Sequence, residues 1–105
     1  MRLLPEQIQS IIDTIHELTN PHTRIFLYGS RLNDQALGGD IDLLIETDTA
    51  LSLLQRAKIK MTLESQLNLP VDIIAKVQNQ PANTFQSIAL TKAVQLGKPR
   101  WNPPA

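Results

Sequence analysis

Asp40 and Asp42 head the run Asp40-Ile41-Asp42-Leu43-Leu44-Ile45, and nine residues separate them from the pair Gly29-Ser30. A third acid, Asp72, lies within Pro70-Val71-Asp72-Ile73-Ile74. Both acidic stretches are otherwise apolar and read as strands. Residues i and i+2 of a strand point to the same face, so Asp40 and Asp42 share one. Two carboxylates held side by side repel unless a cation lies between them. Hard divalent ions such as Mg2+ take such oxygen ligands and complete their shells with water and substrate phosphates. Gly29 lets backbone approach a phosphate closely. Ser30 offers a hydroxyl and an N–H at a helix start, where anions are favoured. Gly29-Ser30 alone would be an ordinary strand-to-helix turn with a serine cap. Asp40-x-Asp42 alone would be a solvated edge pair, and Asp72 alone a solvent-facing strand residue. Together they outline a triphosphate and metal site.

The elements that must hold these residues follow from periodicity. Pro5 suits a first helical turn, and Ile8, Ile11, Ile12, Ile15 and Leu18 give one apolar stripe, so residues 5–19 form a helix that Asn20-Pro21 ends. Arg24 to Tyr28 is a short strand. A short helix over about residues 31–37 stops at Gly38-Gly39 and leads into a strand over 40–46. Asp48 or Thr49 caps a long helix to residue 67, with Leu51, Leu54, Ala57, Met61 and Leu67 as its apolar positions and Leu53 and Ile59 beside them. Val71 to Val77 is a third strand. Asn83 or Thr84 caps a last helix running to Leu96, and Gly97 stops it. The order α-β-α-β-α-β-α implies a small α/β fold, a mixed sheet of three or more strands with flanking helices. One domain over residues 1–97 and an extended Pro-rich tail over 98–105 are expected.

Composition narrows the function. The chain has 105 residues, 42% hydrophobic and 19% charged, which suits one domain with a real core. It has no Cys, which excludes disulfides, zinc–thiolate sites and thiol nucleophiles. No apolar run approaches the ~20 residues of a membrane span. The first residues lack the apolar core of a signal peptide, so a cytoplasmic protein without membrane attachment is expected. Ten basic and ten acidic residues give zero net charge. That balance weighs against direct binding of nucleic acid, whose affinity comes largely from phosphate neutralisation. It leaves room for one nucleotide held through a metal.

Gly29-Ser30, the nine-residue gap, Asp40-x-Asp42 and the later strand acid Asp72 resemble the minimal nucleotidyltransferases (MNT) of the DNA polymerase β-like superfamily. The resemblance covers roughly residues 24–77. Gly39 before the first acid and the nine-residue gap are mild departures, since many relatives have Ser there and some have a gap of ten. The resemblance implies the small nucleotidyltransferase fold and transfer of a nucleoside monophosphate, AMP from ATP, with pyrophosphate leaving. Asp40 and Asp42 would hold two Mg2+ ions, which in such sites lie ~3.5–4 Å apart. Asp72 would hold the ion nearer the acceptor and help activate the attacking hydroxyl. Gly29, Ser30 and Arg31 would hold the nucleotide. Minimal members often pair with a helical HEPN-type partner as antitoxins that can attach AMP to it, and such a hetero-oligomer is expected here. Two alternatives remain at this point. The domain could neutralise a partner by contact alone, or a partner chain could complete a pocket for a small-molecule acceptor.

Other charged residues read as structure. Asp34 and Glu46 are surface charges, and Arg56, Lys58 and Lys60 form the solvated face of the long helix. His16 and His22 lack partners at ligand spacing. Lys76, four residues after Asp72, could touch a nucleotide. Trp101, the chain's only Trp, stands between Arg100 and Asn102-Pro103-Pro104, a stretch suited to docking on a partner.

Overall fold

The computed structural model describes residues 3–29 and 40–97. Among these residues, three helices flank a four-stranded mixed sheet: α1 (Pro5–Leu18), β1 (Arg24–Tyr28), β2 (Ile41–Thr47), α2 (Leu53–Leu67), β3 (Val71–Val77), α3 (Thr84–Thr91) and β4 (Val94–Leu96). The strand order is β3-β2-β1-β4, with β2 and β3 parallel and β1 antiparallel to both β2 and β4. A parallel pair needs a crossover, and α2 supplies it. The short helix expected over 31–37, with Ser30, Arg31, Asp34, Gly38 and Gly39, lies outside the described residues. So does the tail 98–105 with Trp101.

One face of the sheet carries the main core. Ile25 and Leu27 of β1, Ile41, Leu43 and Ile45 of β2, and Val71 of β3 meet Ile11 and Ile15 of α1 and Ile59 and Leu63 of α2. All ten are buried, and each contributes about 1.5–3 kcal/mol of transfer free energy. The intervening residues point the other way. There Phe26, Leu44 and Ile74 stand in one row across β1, β2 and β3, and α3 touches β1 and β2.

The helix starts are built from side chains. Gln7 Oε1 accepts from the Leu4 N–H beside Pro5. Ser52, rather than Asp48 or Thr49, caps α2, in a reciprocal box with Gln55. Asn83 and Gln86 form the same box at α3, as expected of Asn83.

Two expectations need correction. The last helix does not reach Leu96. It stops at Thr91, and Val94, Gln95 and Leu96 pair instead with Leu27, Phe26 and Ile25. The outer backbone of β1 is otherwise unpaired, and strand pairing there outweighs continued helix. Gly97 therefore ends a strand, at φ +63°, and a Cβ on it would meet Ile12 Cδ1 at 2.9 Å. On α2, Ile59, Leu63 and Leu67 are the buried positions, whereas Leu53, Leu54 and Met61 are exposed. This helix is apolar on two sides, so of the positions expected Leu67 and Ile59 are buried and Leu51 packs against the core, while Leu54, Ala57 and Met61 face solvent.

The charged residues also differ from expectation. Glu46 is buried and bonds Lys76 Nζ at 3.0 Å, with the Arg24 guanidinium against its other oxygen. Lys76 is thus an internal ion-pair partner at the end of the sheet away from Asp72. Arg56 and Lys60 are not merely solvated. Arg56 Nη2 donates to the Ile73 carbonyl at 3.2 Å and Lys60 Nζ to that of Val71, while Gln86 Nε2 reaches Ala75 O at 3.0 Å. Glu64 accepts from the Val71 N–H at 2.9 Å. The outer edge of β3 is thereby closed by side chains, which blunts it against pairing with another chain. His16 is structural, with Nε2 3.1 Å from Thr23 O.

Candidate active site

Strand register gathers the acids. Tyr28 of β1 stands opposite Asp42 of β2, and Asp42 is in register with Asp72 of β3. The three form one row across the α3 side of the sheet, at the end where β1 stops and β2 begins. Asp40 precedes β2 by one residue and is exposed, Asp42 is half-buried, and Asp72 is exposed. The even spacing of 40, 42 and 72 along buried strands thus sets the three carboxyls at one end of one face.

The acids of the row act on one another. The Asp42 carboxyl is pushed above its ordinary range by burial first, then by the charges of Asp72 and Asp40. The Tyr28 phenol is pushed up as well, by burial and then by Asp42 and Asp72, so it stays neutral at physiological pH. Among the described residues, the cation paired with Asp72 is Lys60, whose Nζ stands 3.9 Å from Oδ1. That ammonium is shared with Glu64 at 3.3 Å.

Gly29 closes the site from the β1 side. Its φ is +84°, a conformation that L side chains rarely adopt. A Cβ there would collide with Asp42 Oδ2 and come within 3.1 Å of Asp42 Cγ. The glycine thus gives the Asp42 carboxylate room to lie directly against the β1 backbone. Asp42 and Asp72 in register, with Asp40 nearby, fit a hard cation whose remaining ligands come from phosphate and water. As the side chains stand, no three acids or histidines among the described residues close into a metal cage.

Beside Gly29 lies a hollow of about 200 Å³ lined by Tyr28, Gly29, Phe85, Ile88, Ala89 and Lys92. A larger one, about 590 Å³, runs between α1 and Gln66 and is lined by Glu6, Asp13 and Glu17. Its acidic walls suit a triphosphate poorly, and it lies away from the carboxylate row.

The sequence profile of the family described as Polymerase beta, Nucleotidyltransferase matches residues 7–98. The chain belongs to this nucleotidyltransferase family. Solved structures agree with that fold. One similar chain is from the complex of tri-AMPylated Shewanella oneidensis HEPN toxin with MNT antitoxin, at 23% identity and TM-score 0.66, covering 86% of this chain and 68% of that one. Another is from a mutant MntA–HpeT toxin–antitoxin complex, at 25% identity and TM-score 0.66, covering 89% and 71%. A third, described as a minimal nucleotidyltransferase, shares 22% identity with TM-score 0.64, covering 85% and 88%. No curated protein matches the chain.

Of the nucleotidyltransferase residues expected from the sequence, Gly29, Asp40, Asp42 and Asp72 fall at this one end of the sheet. Ser30 and Arg31 lie outside the described residues. Sequence reasoning missed Tyr28, Lys60 and the α3 wall. Tyr28 carried a signal, since it directly precedes Gly29, but its place in the row depends on antiparallel register that no local pattern encodes. None of the described helices is long and apolar enough to cross a membrane.

Proposed function

We propose that this chain is a Mg2+-dependent nucleotidyltransferase that moves AMP from ATP to a protein, acting as the antitoxin of a helical HEPN-type partner. The observation that carries the reading is the carboxylate row, with Asp42 in register with Asp72 and its carboxylate packed against Gly29. Family membership supports the reaction class. The partner class is supported by the likeness to chains from toxin–antitoxin complexes, one of which holds an AMPylated toxin.

Asp40, Asp42 and Asp72 are the residues that would hold Mg2+. When bound, the ion neutralises the triphosphate and the charge that develops during transfer. Gly29 lets the phosphate chain approach β1 without a side chain in the way, and Ser30 and Arg31 are assigned to the β- and γ-phosphates. An acceptor hydroxyl enters from the β3 side. Its oxygen bonds to the α-phosphorus as the bond from that phosphorus to the β-phosphate oxygen breaks. Asp72 takes the hydroxyl proton, and pyrophosphate leaves. Tyr28, kept neutral, can donate a hydrogen bond within the row without adding negative charge.

The direct test is mass spectrometry of a HEPN-type partner incubated with this chain, ATP and Mg2+. A gain of one or more AMP groups is expected, lost with Asp42→Asn. A second reading, neutralisation by contact alone, is favoured by Leu53, Leu54 and Met61, which are 82%, 80% and 69% exposed on α2. Partner activity suppressed with no mass gain would establish that reading instead.

A further inference from the structure

The hollow beside Gly29 is separate from the carboxylate row yet continuous with it. Gly29 lines it, and the same glycine stands against Asp42. Its far wall is α3. Phe85 and Ile88 stand three apart on one face of α3, and Lys92 follows at its end. Phe85 is 64% exposed and Ile88 63%. These two large apolar side chains therefore do little for the core, while Ala89 on the same wall is buried. Tyr28 completes the hollow from β1.

We infer that this hollow is the seat of the nucleobase, formed by Tyr28, Phe85, Ile88 and Lys92. The inference rests on the nucleotidyltransferase reading above and adds a binding site to it. Three arguments carry it. First, aromatic and aliphatic walls with one lysine among them complement a flat heteroaromatic ring attached to a polyanion. Second, size: drug-sized ligands fill pockets of ~300–1,000 Å³. A hollow of about 200 Å³ holds one ring system, not a whole nucleotide. The phosphates would then continue past Gly29 toward Asp42. Third, position: Asp72 is on β3, and β2 lies between it and β1. At a strand spacing of ~4.8 Å, the hollow is about 10 Å from the acceptor end. It therefore lies on the nucleotide side, and a side chain of the acceptor protein does not need it.

Calorimetry with two probes tests the seat: Mg2+–ATP, and Mg2+–tripolyphosphate, which has the phosphates but no base. The wild-type chain should bind ATP at least tenfold more tightly than tripolyphosphate. Phe85→Ala with Ile88→Ala should lower ATP affinity toward that of tripolyphosphate, leaving tripolyphosphate affinity and the melting temperature unchanged. Phe85→Trp should retain ATP binding. If wild type binds both probes equally, or the double variant binds ATP as wild type does, the seat is wrong while the triphosphate site stands. Parallel loss of both probes in the double variant also overturns it, because these residues would then support the site rather than touch the base. Weaker partner binding with unchanged ATP affinity would make this face a protein-docking surface instead. Wild type that binds neither probe overturns the nucleotidyltransferase reading and the seat with it.

Discussion

Asp42 is the residue on which the site's electrostatics converge. Burial and the charges of Asp72 and Asp40 raise its carboxyl above the ordinary range. For an acid, a raised folded-state value means that the fold binds the proton more tightly than the unfolded chain does. The resulting stability is fully present below the unfolded value and is lost as pH rises through the raised one. Metal-free protein at neutral pH therefore carries an unfavourable charge, which Asp42→Asn removes. The variant should melt above metal-free wild type at neutral pH, and that difference should vanish in acid. Mg2+ should raise the wild-type midpoint and leave the variant's almost unmoved. Paired thermal melts with and without Mg2+ across pH check both statements, and a wild type indifferent to Mg2+ at neutral pH would remove Asp42 as a ligand. Gly29 acts beside it through shape. Gly29→Ala imposes a side chain at φ +84° and drives Cβ into Asp42 Oδ2. The strained backbone costs about 1–2 kcal/mol, and Mg2+–ATP affinity should fall at least tenfold by calorimetry.

At the scale of elements, what could be read in advance followed from strong local patterns. Gly29, Asp40, Asp42 and Asp72 were legible because glycine and charge are conspicuous in apolar strands, and α1, β1, β2 and β3 because their apolar residues are regularly spaced. The misreadings came where a partner element decides. Val94 to Leu96 continues an apolar pattern that suits helix or strand, and only the open edge of β1 selects the strand. The burial of Glu46 with Lys76 depends on parallel register between β2 and β3, as does the meeting of Asp42 with Asp72. One strand pairing thus places an ion pair at one end of the sheet and a row of acids at the other. The two ends should respond oppositely to neutralisation. Lys76→Met removes the 3.0 Å partner of buried Glu46 and leaves it with Arg24 alone, which should cost about 1–3 kcal/mol in urea denaturation. Adding Glu46→Gln should recover much of that loss, whereas a double variant no more stable than Lys76→Met would mean that the lysine stem, not its charge, supports the fold.

For the molecule as a whole, the question is where the folded unit ends. β4 closes one side of the sheet at Leu96, and Gly97 packs against Ile12 of α1. The family profile ends one residue later, at 98. We take residue 97 as the boundary and assign the following eight residues, with Trp101, to partner docking. Two truncations separate fold from docking. Deleting residues 98–105 should leave the circular-dichroism melt nearly unchanged and weaken the complex with a HEPN-type partner. Deleting residues 94–105 also removes β4 and opens the edge of β1 at Ile25, Phe26 and Leu27. It uncovers buried Ile25 and Leu27 and takes away Leu96, so several kcal/mol of burial are lost and the melt should fall steeply. The longer truncation should also aggregate, because an unpaired apolar strand is a template for pairing with another copy. If the shorter truncation melts as early as the longer one and still binds its partner normally, the last eight residues belong to the fold and the boundary at 97 is wrong.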